Sequence, residues 1–283
     1  MKIVEKLSEM QNIAKICKRE NKKIALVPTM GALHEGHLKL IDKAKSLCGP
    51  FDLVVVSVFV NPSQFGPNED FAKYPREIEN DCRKSFERGA DIVFAPSVGE
   101  MYPDGFDTRI NCGRITNVLE GKSRPGHFDG VCTVVLKLFC ATLADLAVFG
   151  QKDAQQVMVI KQMTADLNLA TEIVVHPTVR EEDGLAMSSR NAYLSPEERV
   201  EVPQIYEGLK KLCEFSEKER KSEKLKDFLL NYYSRKSYFT AEYVEITDFS
   251  AKNIDEITDA GALVCVALRT NQSKTRLIDN III

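Results

Sequence analysis

Short apolar runs alternate with helical patterns through the first two thirds of the chain. Residues 24–27 (Ile-Ala-Leu-Val) are apolar throughout and are followed by helical spacing over residues 37–47. A valine-rich run at 53–60 precedes a polar helical stretch at 71–88, and residues 91–95 give a third strand. An apolar helix at 131–143 leads to a fourth strand at 145–149, and a helix at 155–167 leads to a fifth at 172–175. Strands that are apolar at every position, joined by helices, predict a parallel sheet covered on both faces. The crossovers should be right-handed. The expected fold class is therefore α/β, a Rossmann-like doubly wound parallel sheet, with ligands beyond the carboxyl ends of its strands.

After residue 178 the pattern changes. Residues 196–236 are charged and helical, and strand candidates follow at 243–247, 262–268 and 277–283. Helices followed by strands read as a separate, smaller α+β unit. The chain is expected to form two domains, 1–178 and 179–283.

Composition narrows the class. The net charge of -3 suggests no broad nucleic-acid surface. No apolar run approaches the roughly 20 residues of a membrane helix, so no membrane partner is expected. The start, Met1-Lys2-Ile3-Val4-Glu5-Lys6, lacks the continuous apolar core of a signal peptide, which points to the cytoplasm. The cysteines at 132, 140 and 265 sit in apolar runs and read as small buried residues in a reducing compartment rather than as disulfide partners.

The segment with the most chemistry is Pro28-Thr29-Met30-Gly31-Ala32-Leu33-His34-Glu35-Gly36-His37, which carries two of the four histidines. A strand that turns through glycines into a helix start makes an anion site, since the first-turn N–H groups and the helix dipole favour phosphate. Imidazoles there can donate to phosphate oxygens and move protons near neutral pH. An H-x-x-H pair also suits two surface histidines, or two zinc ligands awaiting a third. The chain has neither a G-x-x-x-x-G-K-[ST] loop nor a G-x-G-x-x-G after its first strand, so any nucleotide must be held by other devices.

Other segments fall at strand ends or helix starts. Asn61-Pro62-Ser63-Gln64-Phe65-Gly66 follows the second strand; its amides suit a small polar acid, and its composition also suits a plain turn. Phe149-Gly150-Gln151-Lys152-Asp153-Ala154-Gln155-Gln156 ends the fourth strand. Lys152 there suits a phosphate, Asp153 a ribose or a helix cap, and Gln156 lies one turn on. At the domain junction, Met187-Ser188-Ser189-Arg190 reads as a phosphate clamp or a helix cap, with Gly184 lending mobility to the loop. Arg124-Pro125-Gly126-His127 faces substrate or shapes the fold. Asp81 suits a magnesium ion reached through water, and on spacing alone a surface role.

Six blocks together resemble one family, the pantothenate synthetases or pantoate–β-alanine ligases. They are PTMGALHEGH, FVNPSQFG, YPR at Tyr74–Arg76, RPGHFDGV, VFGQKDAQQ and REEDGLAMSSRN, in the family's order. The family is similar in turn to the nucleotidyltransferases that include class I aminoacyl-tRNA synthetases. The resemblance implies an enzyme that couples pantoate to β-alanine with ATP, through pantoyl adenylate, releasing AMP and pyrophosphate. It implies ATP contacts at Met30, Gly31, Ala32, Leu33, His34, Glu35, Gly36 and His37, at Gly150, Gln151, Lys152 and Asp153, at Val179, and at Met187, Ser188, Ser189 and Arg190. His37 stands at the family's proton-donor position, with His34 and Lys152 beside it in the catalytic set. Gln64 and Gln156 are the implied pantoate ligands, Gln64 also serving β-alanine. Magnesium is implied with ATP, Asp81 matching its carboxylate loosely, and a homodimer is the family's usual assembly. Ala144, where a proline is common, and Gln151, where a glutamate is frequent, are small departures. Two alternatives stay open: a related adenylyltransferase for another acid or phosphate ester, and a non-catalytic nucleotide-binding regulator.

Overall fold

The computed structural model describes residues 1–66 and 71–283. The chain divides into two compact units, Met1–Gly150 with Val159–His176, and Gln151–Met158 with Pro177–Ile283.

In chain order the elements up to residue 176 are β1 (Lys2–Val4), α1 (Leu7–Arg19), β2 (Ile24–Thr29), α2 (Glu35–Ser46), β3 (Leu53–Val58), α3 (Ile78–Glu87), β4 (Ile92–Phe94), α4 (Val98–Met101), α5 (Glu120–Ser123), α6 (His127–Thr142), β5 (Leu146–Gly150), α7 (Ala154–Asp166) and β6 (Glu172–His176). The strands make one parallel sheet in the order β1-β4-β3-β2-β5-β6. Ala25, Val27, Val54, Val56 and Val148 share a buried cluster with Leu38, Ile41 and Ala44 of α2. Their neighbours Ile24, Leu26 and Val55 point to the opposite face and are just as buried. That is why β2 and β3 carry apolar residues without alternation: the sheet is doubly wound.

The strand order reverses between β2 and β5, since β2 continues to β3 on one side and β5 to β6 on the other. Such a switch point leaves a crevice at the carboxyl ends. Here the two strands pair only at Ala25–Leu146 and Leu26–Ala147. The even-numbered residues of β2 aim their main-chain groups at β5, as the bond from Asp145 N–H to Ile24 C=O shows, while Thr29 accepts from Phe59 on the β3 side. Pro28 is the next even position, and it has no N–H to give β5.

The second unit holds α8 (Pro196–Glu201), α9 (Gln204–Ser216), α10 (Ser222–Ser234), β7 (Phe239–Thr247), β8 (Leu263–Thr270) and β9 (Arg276–Ile282). The strands form an antiparallel sheet in the order β7-β8-β9. Leu209 and Leu212 of α9 and Leu225, Leu229 and Tyr233 of α10 bury their apolar sides in one core with Val264, Val266 and Leu268 of β8. Ser195 and Glu198 form a reciprocal cap at the start of α8.

Several details differ from the sequence expectation. The helix expected over 71–88 is a 3-10 turn at Phe71–Lys73 and then α3 from Ile78. Pro75 explains the break, because it disfavours helical backbone at Tyr74. The large sheet has six strands rather than five. Strand β1 leaves little trace in the sequence because it is three residues long and buries only Val4, and α1 is likewise additional to the expected elements. Helix α6 begins at His127, four residues before the expected start, with Gly126 in the left-handed region (φ +79°). Cys132 and Cys265 are buried as expected, but Cys140 is exposed on α6.

Candidate functional site

In the first unit the turn from β2 into α2 is built from unusual backbone. Gly31 and Ala32 both lie in the left-handed region, at φ +84° and +52°. A Cβ on Gly31 would stand 2.8 Å from Asp81 Oδ2 and 3.0 Å from Val58 Cγ1, so glycine serves both the conformation and the close approach. His34 is the N-cap of α2, which therefore begins at Glu35 rather than at residue 37. Its Nδ1 accepts the N–H of Gly36 at 3.1 Å, and its own N–H donates to His37 Nδ1 at 3.4 Å. The rings lie 4.1 Å apart between centroids. With Nδ1 accepting, each neutral ring carries its proton on Nε2. The helix start is thus not a bare set of amides, because the Gly36 N–H is already used by His34. Leu33 is buried, and Glu35 turns to Arg88, which donates to both its oxygens at 2.8 Å.

Asp81 is 1% exposed, which overturns the surface role weighed for it from spacing. Its two carboxylate oxygens accept the N–H groups of Ala32 and Leu33 at 2.9 and 2.8 Å. Burial pushes the carboxyl up from its usual range, while those two amides and the charge of Lys84 pull the other way. Among the described residues no group of three or more His, Cys, Asp or Glu side chains is gathered to hold a metal ion.

Past β3, residues Pro62–Gln64 form a 3-10 turn capped by Asn61. Gln64 is nearly buried. Asn61 Nδ2 donates to Gln64 Oε1 at 2.8 Å and to the carbonyl of Gly130 at 3.1 Å. Tyr102 Oη donates to Asn61 Oδ1 at 2.8 Å. The Gln64 main-chain carbonyl receives Arg124 Nη2 at 3.3 Å and His127 Nδ1 at 2.8 Å. A carbonyl only accepts, so His127 carries its proton on Nδ1, and its Nε2 accepts from Arg124 Nη1 at 3.1 Å. Arg124 and His127, left undecided by the sequence, brace the turn that presents Gln64. Tyr102 is not marked in the sequence, since a lone tyrosine far along the chain gives no local signal.

In the second unit Gln151–Asp153 form a 3-10 turn directly after β5 ends at Gly150. Asn280 of β9 holds it, donating to the carbonyls of Gln151 and Lys152 at 2.9 Å and accepting from Gln151 Nε2 at 3.0 Å. The Lys152 side chain is 19% exposed and lies 3.3 Å from Asp153 Oδ1, so it does not simply face solvent. Gln156 sits half-buried on the first turn of α7, and its neighbour Gln155 is buried.

The segment from Val179 to Arg190 folds back on itself. Met187 N–H donates to Val179 C=O at 3.0 Å, and Glu181 N–H to Leu185 C=O at 2.8 Å. Gly184 has φ +94°, and a Cβ there would meet Tyr206 Cδ1 at 2.8 Å. Glycine there answers to turn geometry and packing. Arg180 makes a two-pronged pair with Asp279 at 2.6 and 2.9 Å and lies 3.5 Å over the Tyr206 ring. Ser188 caps the 3-10 turn Ser189–Tyr193, accepting from Arg190 N–H at 3.3 Å.

Comparison with known proteins places the chain among relatives of one kind. A pantothenate synthetase of Caldicellulosiruptor saccharolyticus is 50% identical, covering 100% of this chain and 99% of the relative. One of Acetivibrio thermocellus is 48% identical at the same coverage. A crystal structure of the pantothenate synthetase from Thermus thermophilus superposes with a TM-score of 0.91 at 41% identity, over 99% of each chain. A pantoate-beta-alanine ligase from Francisella tularensis, solved in complex with beta-gamma ATP and beta-alanine, gives a TM-score of 0.79 at 37% identity, over 100% of this chain and 97% of that one. With a pantoate-beta-alanine ligase family match over residues 2–282 as well, the chain belongs to that family.

Proposed function

We propose that this chain condenses pantoate with β-alanine at the expense of ATP, by way of pantoyl adenylate. The observation that carries the reading is the His34–His37 pair, seated by its own helix cap at the carboxyl end of β2, on the strand beside the switch point. In the first step a pantoate carboxylate oxygen attacks the α-phosphorus of ATP, and the bond to the pyrophosphate oxygen breaks. In the second the β-alanine nitrogen attacks the acyl carbon, AMP leaves with the electron pair, and the nitrogen gives up a proton.

Neither step needs a protein nucleophile; both need alignment and charge neutralisation. In this reading the Nε2–H groups of His34 and His37 donate to phosphate oxygens as charge builds, His37 supplying the proton. Lys152 neutralises the same charge. Met30 to Leu33, Glu35, Gly36, Gly150, Gln151, Asp153, Val179 and Met187 to Arg190 surround ATP. Gln64 and Gln156 hold pantoate, and Gln64 also meets β-alanine. The Asn61 amide occupies Gln64 Oε1, so Gln64 offers its Nε2 donors to an acidic or hydroxylated substrate.

Magnesium would come with ATP as part of that substrate and would neutralise charge on its phosphates. Asp81 does not fit as its direct ligand, because the carboxylate is buried and both oxygens hold loop amides. Residues 179–283 serve as a lid domain, and the enzyme works as a homodimer in the cytoplasm; among the described residues no helix is long and apolar enough to cross a membrane.

The test is pantoate-dependent exchange of labelled pyrophosphate into ATP, followed by pantothenate formation when β-alanine is added. Exchange with no pantothenate would leave a simple adenylate former. Exchange driven by a different acid would move the chain to another substrate.

A further inference from the structure

Helix α3 meets the turn ahead of His34 with two side chains three residues apart. Asp81 takes the N–H groups of Ala32 and Leu33, and Lys84 Nζ donates to the carbonyl of Leu33 at 2.5 Å. A carboxylate thus grips two donors while an ammonium grips the acceptor of the peptide group that leads into His34. Charge-assisted bonds of this kind are the stronger class. The grip has work to do. Ala32 sits at φ +52°, a strained conformation for a non-glycine residue, and such backbone persists only where its surroundings over-determine it. The next residue after Leu33, His34, is the N-cap whose N–H reaches His37 Nδ1, so a slip of the turn moves both rings.

We propose that Asp81 and Lys84 form a two-pronged latch that sets the His34–His37 pair for adenylation. Both are positioning residues that act through the turn, and neither touches substrate. The adenylation role rests on the proposed ligase activity; the latch itself rests on the geometry of α3 and the turn.

Two variants test it, Asp81→Asn and Lys84→Met. Asparagine keeps one acceptor but aims an NH2 group at a backbone N–H. Methionine keeps the apolar stem and removes the charge at a half-buried position, so it carries the test if the buried Asp81 variant does not fold. Two measurements are made on the full chain. Amide hydrogen exchange at Ala32 and Leu33 is followed without ligand, with α6 amides as the internal reference. Pantoate-dependent pyrophosphate–ATP exchange is followed with ATP and magnesium each varied up to saturation.

The latch predicts that both variants exchange the two amides about tenfold faster or more, α6 unchanged. It also predicts kcat lowered about tenfold or more with the KM for ATP nearly constant, since a small misplacement of reacting groups is costly. Unchanged amide protection and unchanged kcat in Lys84→Met would overturn the latch. So would a loss in Asp81→Asn that extra magnesium restores, because that is the signature of a metal-facing carboxylate. A wild-type chain with no pantoate-dependent exchange overturns the proposed ligase activity and the adenylation role with it. Wild-type activity with unaltered variants overturns the latch alone.

Discussion

His127 Nδ1 stands 2.8 Å from the main-chain carbonyl oxygen of Gln64, and Arg124 reaches the same oxygen at 3.3 Å. The pair fixes the backbone of the residue proposed to hold the acid substrate. His127→Ala should therefore lower kcat/KM for pantoate about 10- to 100-fold, the range expected for losing half-buried hydrogen bonds that include the charged Arg124, about 1.5–3 kcal/mol. The KM for ATP should change far less. Steady-state kinetics with each substrate varied in turn decides it, and equal losses toward both would assign His127 to the fold.

Two variants of His34 separate its cap from its chemistry. Asparagine is among the best N-cap residues and alanine among the poorest. His34→Asn should keep a melting temperature near wild type, whereas His34→Ala should lose about 1 kcal/mol of stability. Both should be poor at adenylation. An active His34→Asn enzyme would reduce the imidazole to a cap.

Lys152→Ala should slow adenylate formation by a factor corresponding to about 3 kcal/mol or more, as for other charge-stabilising contacts in water-excluded sites. Single-turnover measurement of pantoyl adenylate tests this directly. A near-normal rate would remove Lys152 from the catalytic set.

Gly130 lies where α6 passes the Gln64 turn, and a Cβ there would fall 2.3 Å from Ser63 O. That contact cannot be relieved by a side-chain rotation, because the neighbour is backbone. Gly130→Ala should cost about 1–3 kcal/mol in unfolding free energy and weaken pantoate binding together with it. Denaturant unfolding and pantoate titration should move in concert.

Glu198 sets an acid limit on the second unit. Burial alone would raise its carboxyl, but the Ser273 side chain and the N–H groups of Ser195, Ser273 and Gln272 outweigh burial and hold it at about 2. Its folded value is thus below the unfolded value of about 4.3. The stabilisation is complete above that unfolded value and is lost as pH falls through about 2. Melting curves of Glu198→Gln should show a lower melting temperature at neutral pH and a flatter acid limb than wild type.

The sheet was legible because β2 and β3 are buried on both faces, which leaves an apolar run with no competing period. The histidine turn, the Gln64 turn and the Lys152 turn were legible because each follows directly on a strand. What stayed hidden depends on partners distant in sequence. Nothing local marks Asp81 as a buried acceptor for Ala32 and Leu33, nearly fifty residues away. Arg124 and His127 looked ambiguous because their target is a main-chain oxygen, which leaves no trace in residue identity. At Gly184 the sequence shows the missing side chain but not the Tyr206 ring beside it.

Pro28 ends a zipper. A residue with an amide hydrogen at that place would have something to offer the neighbouring strand, and the fork between β2 and β5 could close by one more tooth. One missing hydrogen atom is thus enough to stop the ladder there, with no bulky side chain required.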